Sequence, residues 1–199
     1  MENTTMILIA VAIVAAAAVT LAVWWFSKRR TRQRLETRQE LKTEFGTEYQ
    51  HAVEEHGSLA KAEDELDKRR KRFQKLDIRQ LPDAEKQRFT LEWQTVQARF
   101  VDAPGPAITE AHRLVTEVMS ARGYPVADLA QRQADLSVEV PEVVENYRQA
   151  SLVADRNQRG EASTEDLRQA MVHYRALFQA LLEAGEAHDE PPLRRVGAR

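Results

Sequence analysis

The sequence predicts an all-α fold: one N-terminal transmembrane helix followed by an antiparallel, helical-bundle-like domain of about five to six helices. Three observations lead to this class. Residues 6–26 carry no charged side chain, and apolar residues further along recur at spacings of three and four. No segment shows the period-two alternation or the β-branched enrichment of a strand. About 150 residues with such apolar stripes are enough to bury a core.

The uncharged run from Met6 to Phe26 is 21 residues long. As a helix it would measure roughly 31 Å, close to the ~30 Å hydrocarbon core of a bilayer. A cleaved signal peptide begins with basic residues and has an apolar run of only about 7 to 15 residues. Residues 1–5 contain neither Lys nor Arg. We therefore expect an uncleaved anchor, with residues 1–5 as a short extracytoplasmic tail.

The residues that follow this run predict its orientation. Trp24 and Trp25 suit the membrane interface, where an indole buries its ring and keeps its N–H hydrated. The juxtamembrane segment 27–34 then carries five cations, Lys28, Arg29, Arg30, Arg32 and Arg34. Basic residues beside a span are retained in the cytoplasm. The expected topology is an N-terminus outside and a cytoplasmic domain, with the five cations against anionic headgroups.

Residues 35–184 have the pattern of successive amphipathic helices separated by Gly and Pro. The stripes that define them are Leu41, Phe45, Tyr49, Ala52; Leu59, Ala62, Leu66, Phe73, Leu76; Phe89, Trp93, Val96, Phe100; Ile108, Ala111, Val115, Val118; Val144, Tyr147, Ser151, Ala154; and Leu167, Met171, Tyr174, Phe178, Leu181. Ser163 and Asp166 have the spacing of a capping box before the last stripe. Residues 185–199 have the composition of a disordered tail. The pattern leaves open whether residues 27–56 continue the membrane helix or break at Gly46.

No apparatus for catalysis is visible, so we expect neither an enzyme nor a cofactor. The chain has no cysteine, which excludes thiolate metal sites and cysteine nucleophiles. It also lacks a glycine-rich phosphate loop and a serine-nucleophile elbow. One alternative is a metal-binding protein or enzyme using Glu48 and His51, whose spacing places both on one helical face, as in di-iron bundles. Those bundles need a second such pair, which the sequence does not contain.

A second alternative is binding of anionic lipid or nucleic acid through the basic clusters 28–34 and 68–72. Residues 68–72 are five consecutive cations, but the acidic stretch 63–67 offers them partners three to five positions away. Beyond residue 34 the chain carries 24 basic and 30 acidic side chains. This balance argues against a general polyanion binder, and nucleic acid is not expected as a partner.

The most irregular stretch is the segment 121–144, which mixes polar and apolar residues without a clear period. Connections on a rigid scaffold often carry binding function. The candidate binding residues there are Arg122, Tyr124, Arg132 and Asp135. The simpler interpretation is a connector held down by Tyr124 and Leu136. The first hypothesis for function is therefore a membrane-anchored, non-catalytic interaction, scaffold or regulatory module that binds an unknown protein partner.

Two runs, "GYPVADLAQRQADLSVEVPEVVENYRQA" and "GEASTEDLRQAMVHYRALFQALL", resemble an uncharacterised bacterial family with one membrane anchor and a helical domain. The resemblance implies a bacterial source and hence a location in the cytoplasmic (inner) membrane. It implies no activity, cofactor or functional residue. Two pairs within the predicted span, Ala12 with Ala16 or Ala18 with Ala22, have the small-x-x-x-small spacing that permits helices to self-associate. The expected partners of the span are therefore the lipid bilayer and a second copy of the chain.

Overall fold

The computed structural model describes Trp24, Trp25 and residues 36–184. Throughout these ranges the regular elements are α-helices, and no strand occurs among them, which confirms the all-α class. The chain divides into two compact units, residues 1–43 and 44–199. The helices are α1 (36–45), α2 (Thr47–His56), α3 (Leu59–Phe73), α4 (Asp83–Asp102), α5 (Pro104–Arg122), α6 (Leu129–Glu139), α7 (Pro141–Gln158) and α8 (Thr164–Glu183).

Residues 36–184 thus form eight helices, more than the five to six that the sequence predicted for the domain. Part of the difference arises at Gly46, where φ is +49° and ψ is −121°, a conformation that glycine adopts readily and other residues rarely. The helix breaks there, so Phe45 and Tyr49 lie on two helices rather than one. The rest arises at residues 129–139, which form a complete helix inside the stretch that looked irregular.

The predicted capping box is confirmed at the start of α8. Ser163 Oγ accepts a hydrogen bond from the Asp166 backbone N–H at 3.1 Å, and the Asp166 carboxylate accepts one from the Ser163 backbone N–H at 2.9 Å. Two backbone N–H groups at the helix start therefore find partners in side chains. The start of α8 is therefore fixed at Ser163 by these two hydrogen bonds.

The main core lies where α5 packs against α4, α7 and α8, and α7 packs along α8. The predicted stripes on these helices are buried except for Phe100, which is half-buried, and Ile108, Val115 and Leu181 are fully inaccessible. Trp93 of α4 stacks on Phe178 of α8 with ring centroids 4.8 Å apart. Burying each such large apolar side chain contributes about 1.5–3 kcal/mol relative to exposure, so this cluster is the main source of stability.

Helices α2 and α3 form a hairpin outside that core. They pack on each other, and α2 also contacts α7 while α3 contacts α6. Tyr49 is buried between them and its hydroxyl donates to Glu63 at 2.8 Å. Ion pairs join the hairpin to α7 and α6, and they are described with the candidate site below.

The predicted transmembrane helix 6–26 lies outside the described residues except for Trp24 and Trp25. The same holds for the tail 1–5, for the basic segment 27–34 and for residues 185–199. Among the helices that the structure describes, none combines the length and the apolar character that a bilayer crossing requires.

Candidate functional site

Arg122, a residue singled out from the sequence, is the last residue of α5, and its side chain is only 1% exposed. Its guanidinium forms a bidentate pair with Glu139 of α6, with Nη1 to Oε2 at 2.9 Å and Nη2 to Oε1 at 2.6 Å. Nε donates to the Arg79 carbonyl and Nη2 donates to the Ala184 carbonyl, each at 3.3 Å. This one side chain therefore joins α5, α6, the segment before α4 and the end of α8 through charge-assisted hydrogen bonds.

Tyr124 contributes to the same cluster. Gly123, at φ +99°, ends α5, and the Tyr124 N–H turns back to donate to the Met119 carbonyl at 3.0 Å. This turn buries the Tyr124 ring, and its hydroxyl donates to Glu139 Oε2. The ring also lies 5.7 Å from the Arg122 guanidinium carbon and 6.1 Å from the Phe73 ring centroid. Glu139 is thus the acceptor that the two predicted residues share.

An open cleft of about 920 Å³, here called the Arg122 cleft, lies over this cluster. Its volume falls in the range of ligand-binding clefts. The apolar part of its wall comes from Phe73, Ile78, Val138, Val140 and Ala180. The polar and charged part comes from Glu44, Arg70, Gln74, Arg79, Gln80, Arg122, Glu139, Glu142 and Glu183.

The charges around the Arg122 cleft do not all cancel. Arg79 is paired with Glu85 at 2.9 Å, and Arg70 is paired with Asp67 at 2.6 Å. The hydrogen bond that Arg70 donates to Asp67 raises the pKa of Arg70 above its ordinary value, so Arg70 stays charged within that pair. Glu142 and Glu183 are exposed, and neither forms an ion pair with any described residue. The uncompensated charge of the cleft is therefore negative.

The other two predicted binding residues lie away from Arg122 and Tyr124. Asp135 is fully buried and accepts from Arg72 Nη2 at 2.6 Å and from Gln131 Nε2 at 3.0 Å. Arg132 donates to Thr116 Oγ1 at 3.2 Å, and its guanidinium carbon lies 5.9 Å from the Tyr147 ring centroid. The structure brings Arg122 and Tyr124 together, while Asp135 joins α6 to α3 and Arg132 joins α6 to α5.

The Glu48 and His51 pair does not form a metal-binding geometry. Glu48 is buried, and both of its carboxylate oxygens accept from Arg148 of α7 at 2.7 Å. His51 is exposed. Within residues 36–184 no three His, Asp or Glu side chains come close enough together to hold a metal ion. The Glu48 carboxylate instead joins the α2–α3 hairpin to α7.

The basic run 68–72 is neutralised within the protein. Each of its five cations has a carboxylate within 3.5 Å: Lys68 with Asp64, Arg69 with Glu65, Arg70 and Lys71 with Asp67, and Arg72 with Asp135. The hydrogen bond from Lys71 lowers the pKa of Asp67, against the opposing effect of burial. Because these cations are already paired, residues 68–72 exert little electrostatic attraction on anionic lipid or nucleic acid.

The other basic cluster, 28–34, lies outside the described residues. It follows Trp24 and Trp25 in the sequence, which are helical and more than half exposed.

A second polar cluster is enclosed where α5, α7 and α8 meet. His112 Nδ1 lies 2.7 Å from the Tyr174 hydroxyl, and the two rings are edge to face. Tyr147 and Ser151 are buried, and neither hydroxyl makes a hydrogen bond of ordinary geometry to a described residue. Burial lowers the pKa of His112, and the positive charge of Arg132 lowers it further against the opposing charge of Asp155. Burial also raises the pKa of Tyr174. The surroundings of the cluster therefore favour the uncharged forms of His112 and Tyr174.

We expect acidification from pH 7.5 to pH 5.5 to destabilise the protein through His112. A histidine whose pKa in the folded state lies below its unfolded value of 6.5 contributes stability that is present above that value. This stability is lost as the pH falls toward the folded pKa. The urea midpoint of the full chain should fall over this range, and should fall less in His112→Gln, which keeps a hydrogen-bonding group without a charge. The urea midpoint of the control variant His173→Gln should fall as much as that of the wild type. An equal fall of the midpoint in all three proteins would contradict the assignment to His112.

None of the four acidic residues of the cleft, Glu44, Glu139, Glu142 and Glu183, was predicted from the sequence. Glu139 is 17 positions from Arg122, too far for a helical pairing rule to connect them. Glu142 and Glu183 begin and end their helices and carry no distinctive motif. Glu139, whose side chain is 18% exposed, stands between the apolar residues Val138 and Val140, and this placement is the only local signal for it.

No protein-family model, no curated protein and no solved structure matches this chain.

Proposed function

We propose that the chain is a single-pass protein of the bacterial inner membrane, with its N-terminus outside. Its cytoplasmic helical domain is a non-catalytic module that binds a basic segment of another protein at the Arg122 cleft. The anchor is supported by the 21 uncharged residues 6–26 and the five cations that follow them. Confinement to the membrane raises the effective concentration of the module for other proteins at the same surface.

The observation that carries the binding role is the contrast between buried and exposed charges. The buried charged side chains of the described part, Glu48, Arg122 and Asp135, each pair with a residue on another helix. These groups therefore hold the helices in place. The carboxylates that remain unpaired at the cleft, Glu142 and Glu183, are exposed on its rim. An open cleft with a negative rim suits recognition of Lys or Arg side chains.

Site-specific photocrosslinking in the native membrane tests this binding role. A photoreactive residue replaces Gln74, which is exposed on the cleft wall, or Leu91, which is 64% exposed on α4 and is not part of the cleft wall. The expected result is an adduct with another protein from position 74 that is absent from position 91. Glu142→Lys together with Glu183→Lys should remove the adduct. An adduct that persists after this charge reversal, or that forms equally from position 91, contradicts the proposal.

The topology is tested separately because the chain contains no cysteine. Single cysteines replace Asn3 near the N-terminus or Arg113, which is 58% exposed in the helical domain. A membrane-impermeant maleimide applied to intact spheroplasts should label position 3 and should leave position 113 unlabelled until detergent is added. Labelling of position 113 in intact spheroplasts would reverse the proposed orientation. Release of the protein by alkaline carbonate would contradict the anchor.

A further inference from the structure

The described part of the chain ends at the wall of the Arg122 cleft. Glu183 and Ala184 both line the cleft, and the Ala184 carbonyl accepts from Arg122 at 3.3 Å. The tail segment, residues 185–199, therefore starts where the cleft is. Residue 193 lies nine positions further on, so an extended chain reaches up to about 30 Å from Ala184. This reach is ample for the tail segment to fold back into the cleft.

The tail segment contains one stretch whose chemistry complements the cleft. Residues 191–195, Pro-Pro-Leu-Arg-Arg, combine apolar side chains with two adjacent cations, whereas Glu186, Asp189 and Glu190 make the preceding part acidic. The acidic part would be repelled by the unpaired carboxylates of the cleft rim. Pro191 and Pro192 have restricted backbone torsions and carry no N–H donor, which lowers the entropic cost of docking.

We propose that residues 191–195 dock in the Arg122 cleft of their own chain, where Arg194 and Arg195 pair with Glu142 and Glu183 and Leu193 packs on Phe73 and Ile78. The proposal rests on the proposed function, because it makes the tail segment an internal competitor for the same cleft. A segment tethered by a short linker has an effective concentration of the order of millimolar. Even a weak affinity of about 1 mM therefore keeps the cleft substantially occupied, and a partner must displace the tail segment to bind.

Intramolecular crosslinking of the full chain in detergent tests the docking. The cysteine-free sequence allows one cysteine at Gln74 on the cleft wall and one at Val196 beside the two arginines. A short bismaleimide should link the two positions within one chain. Arg194→Glu together with Arg195→Glu should reduce the yield at least fivefold, and so should Glu142→Arg together with Glu183→Arg. Combining all four changes restores opposite charges and should restore the yield.

The chain offers a matched control for the rim substitutions. Asp83 and Asp102 are exposed in the first turn and at the end of α4, as Glu142 and Glu183 are in the first turn of α7 and at the end of α8. Asp83→Arg with Asp102→Arg makes the same change of charge at equivalent helical positions, and it should leave the crosslink yield unchanged. An equal yield in the charge-reversed proteins would overturn the proposal. A crosslink that forms between differently tagged chains rather than within one would also overturn it, in favour of a second copy as the occupant.

A variant truncated after Ala184 separates this inference from the proposed function. If both hold, truncation increases the partner adduct formed from position 74 in the membrane, because the competitor is gone. If the cleft binds a partner but the tail segment does not dock, truncation leaves the adduct unchanged, which contradicts this inference alone. If no partner adduct forms with either chain while the intramolecular crosslink responds to charge as expected, the docking stands and the partner function fails.

Discussion

Arg122→Ala should destabilise the helical domain by about 3–5 kcal/mol, the cost of removing one member of a buried ion pair. The substitution leaves the Glu139 carboxylate without its bidentate partner and removes the donors to the Arg79 and Ala184 carbonyls. The measurement is urea unfolding of the full chain in detergent, followed by near-UV circular dichroism. Most of this loss in the free energy of unfolding should arise because the Glu139 carboxylate is left without a partner. The ion pair itself need not be strongly stabilising.

Two control proteins separate these causes. Arg113→Ala removes an exposed arginine that pairs with Glu117 one helical turn away, and it should cost only about 0.5 kcal/mol. Arg122→Met combined with Glu139→Leu and Tyr124→Phe replaces the whole cluster by apolar groups, so no buried charge is stranded, and it should recover at least half of the loss. If the triple variant is as unstable as Arg122→Ala, the penalty does not come from the unpaired carboxylate.

Gly123→Ala should be comparably damaging, at about 3–5 kcal/mol, because two penalties coincide. The backbone at Gly123 has φ +99°, which side chains disfavour, and a Cβ there would lie 2.3 Å from the Asp77 carbonyl oxygen. That carbonyl belongs to a backbone segment fixed by the hydrogen bond from Arg79 N–H to the Arg122 carbonyl at 2.9 Å. The segment therefore has little freedom to move aside, and the contact between α5 and residues 77–79 should open.

Gly57→Ala is the matched control for this prediction. Gly57 also follows a helix with a positive φ, of +61°, but a Cβ there would meet nothing within 4 Å. It should cost about 1–2 kcal/mol, the strain of the left-handed conformation alone. The difference between the two glycine variants in urea unfolding measures the steric clash. Equal losses of stability in the two variants would mean that the backbone around Asp77 moves away from the new Cβ at no energetic cost.

The periodic features of the fold could be predicted from the sequence because they are local. Phe89, Trp93 and Val96 are three and four positions apart, so their helix and their burial follow from spacing alone. Ser163 and Asp166 act across three positions, and the capping box was predicted for the same reason. The break at Gly46 remained open because a glycine inside a helical pattern is compatible with either a continuous or an interrupted helix.

The candidate site could be predicted only in part because its partners are remote in sequence. Arg122 and Tyr124 stood out as polar residues in an irregular segment, but Arg72 and Asp135 are 63 positions apart, and Glu48 and Arg148 are 100 positions apart. A single sequence gives no rule that pairs charges over such distances. The burial that turns Glu48 from a surface carboxylate into a link between helices depends on how α2 packs against α7, which no local pattern encodes.

The separation between Glu48 and Arg148 also sets an order of events during synthesis. Translation proceeds at about 5–20 residues per second, so Glu48 is made roughly 5 to 20 seconds before its cation. During that interval the α2–α3 hairpin leaves the ribosome while Glu48, which is buried in the folded domain, still lacks Arg148. The hairpin can join the rest of the domain only after α6 and α7 have left the ribosome. The hairpin is thus made early in synthesis, but the ion pairs that join it to α6 and α7 can form only later.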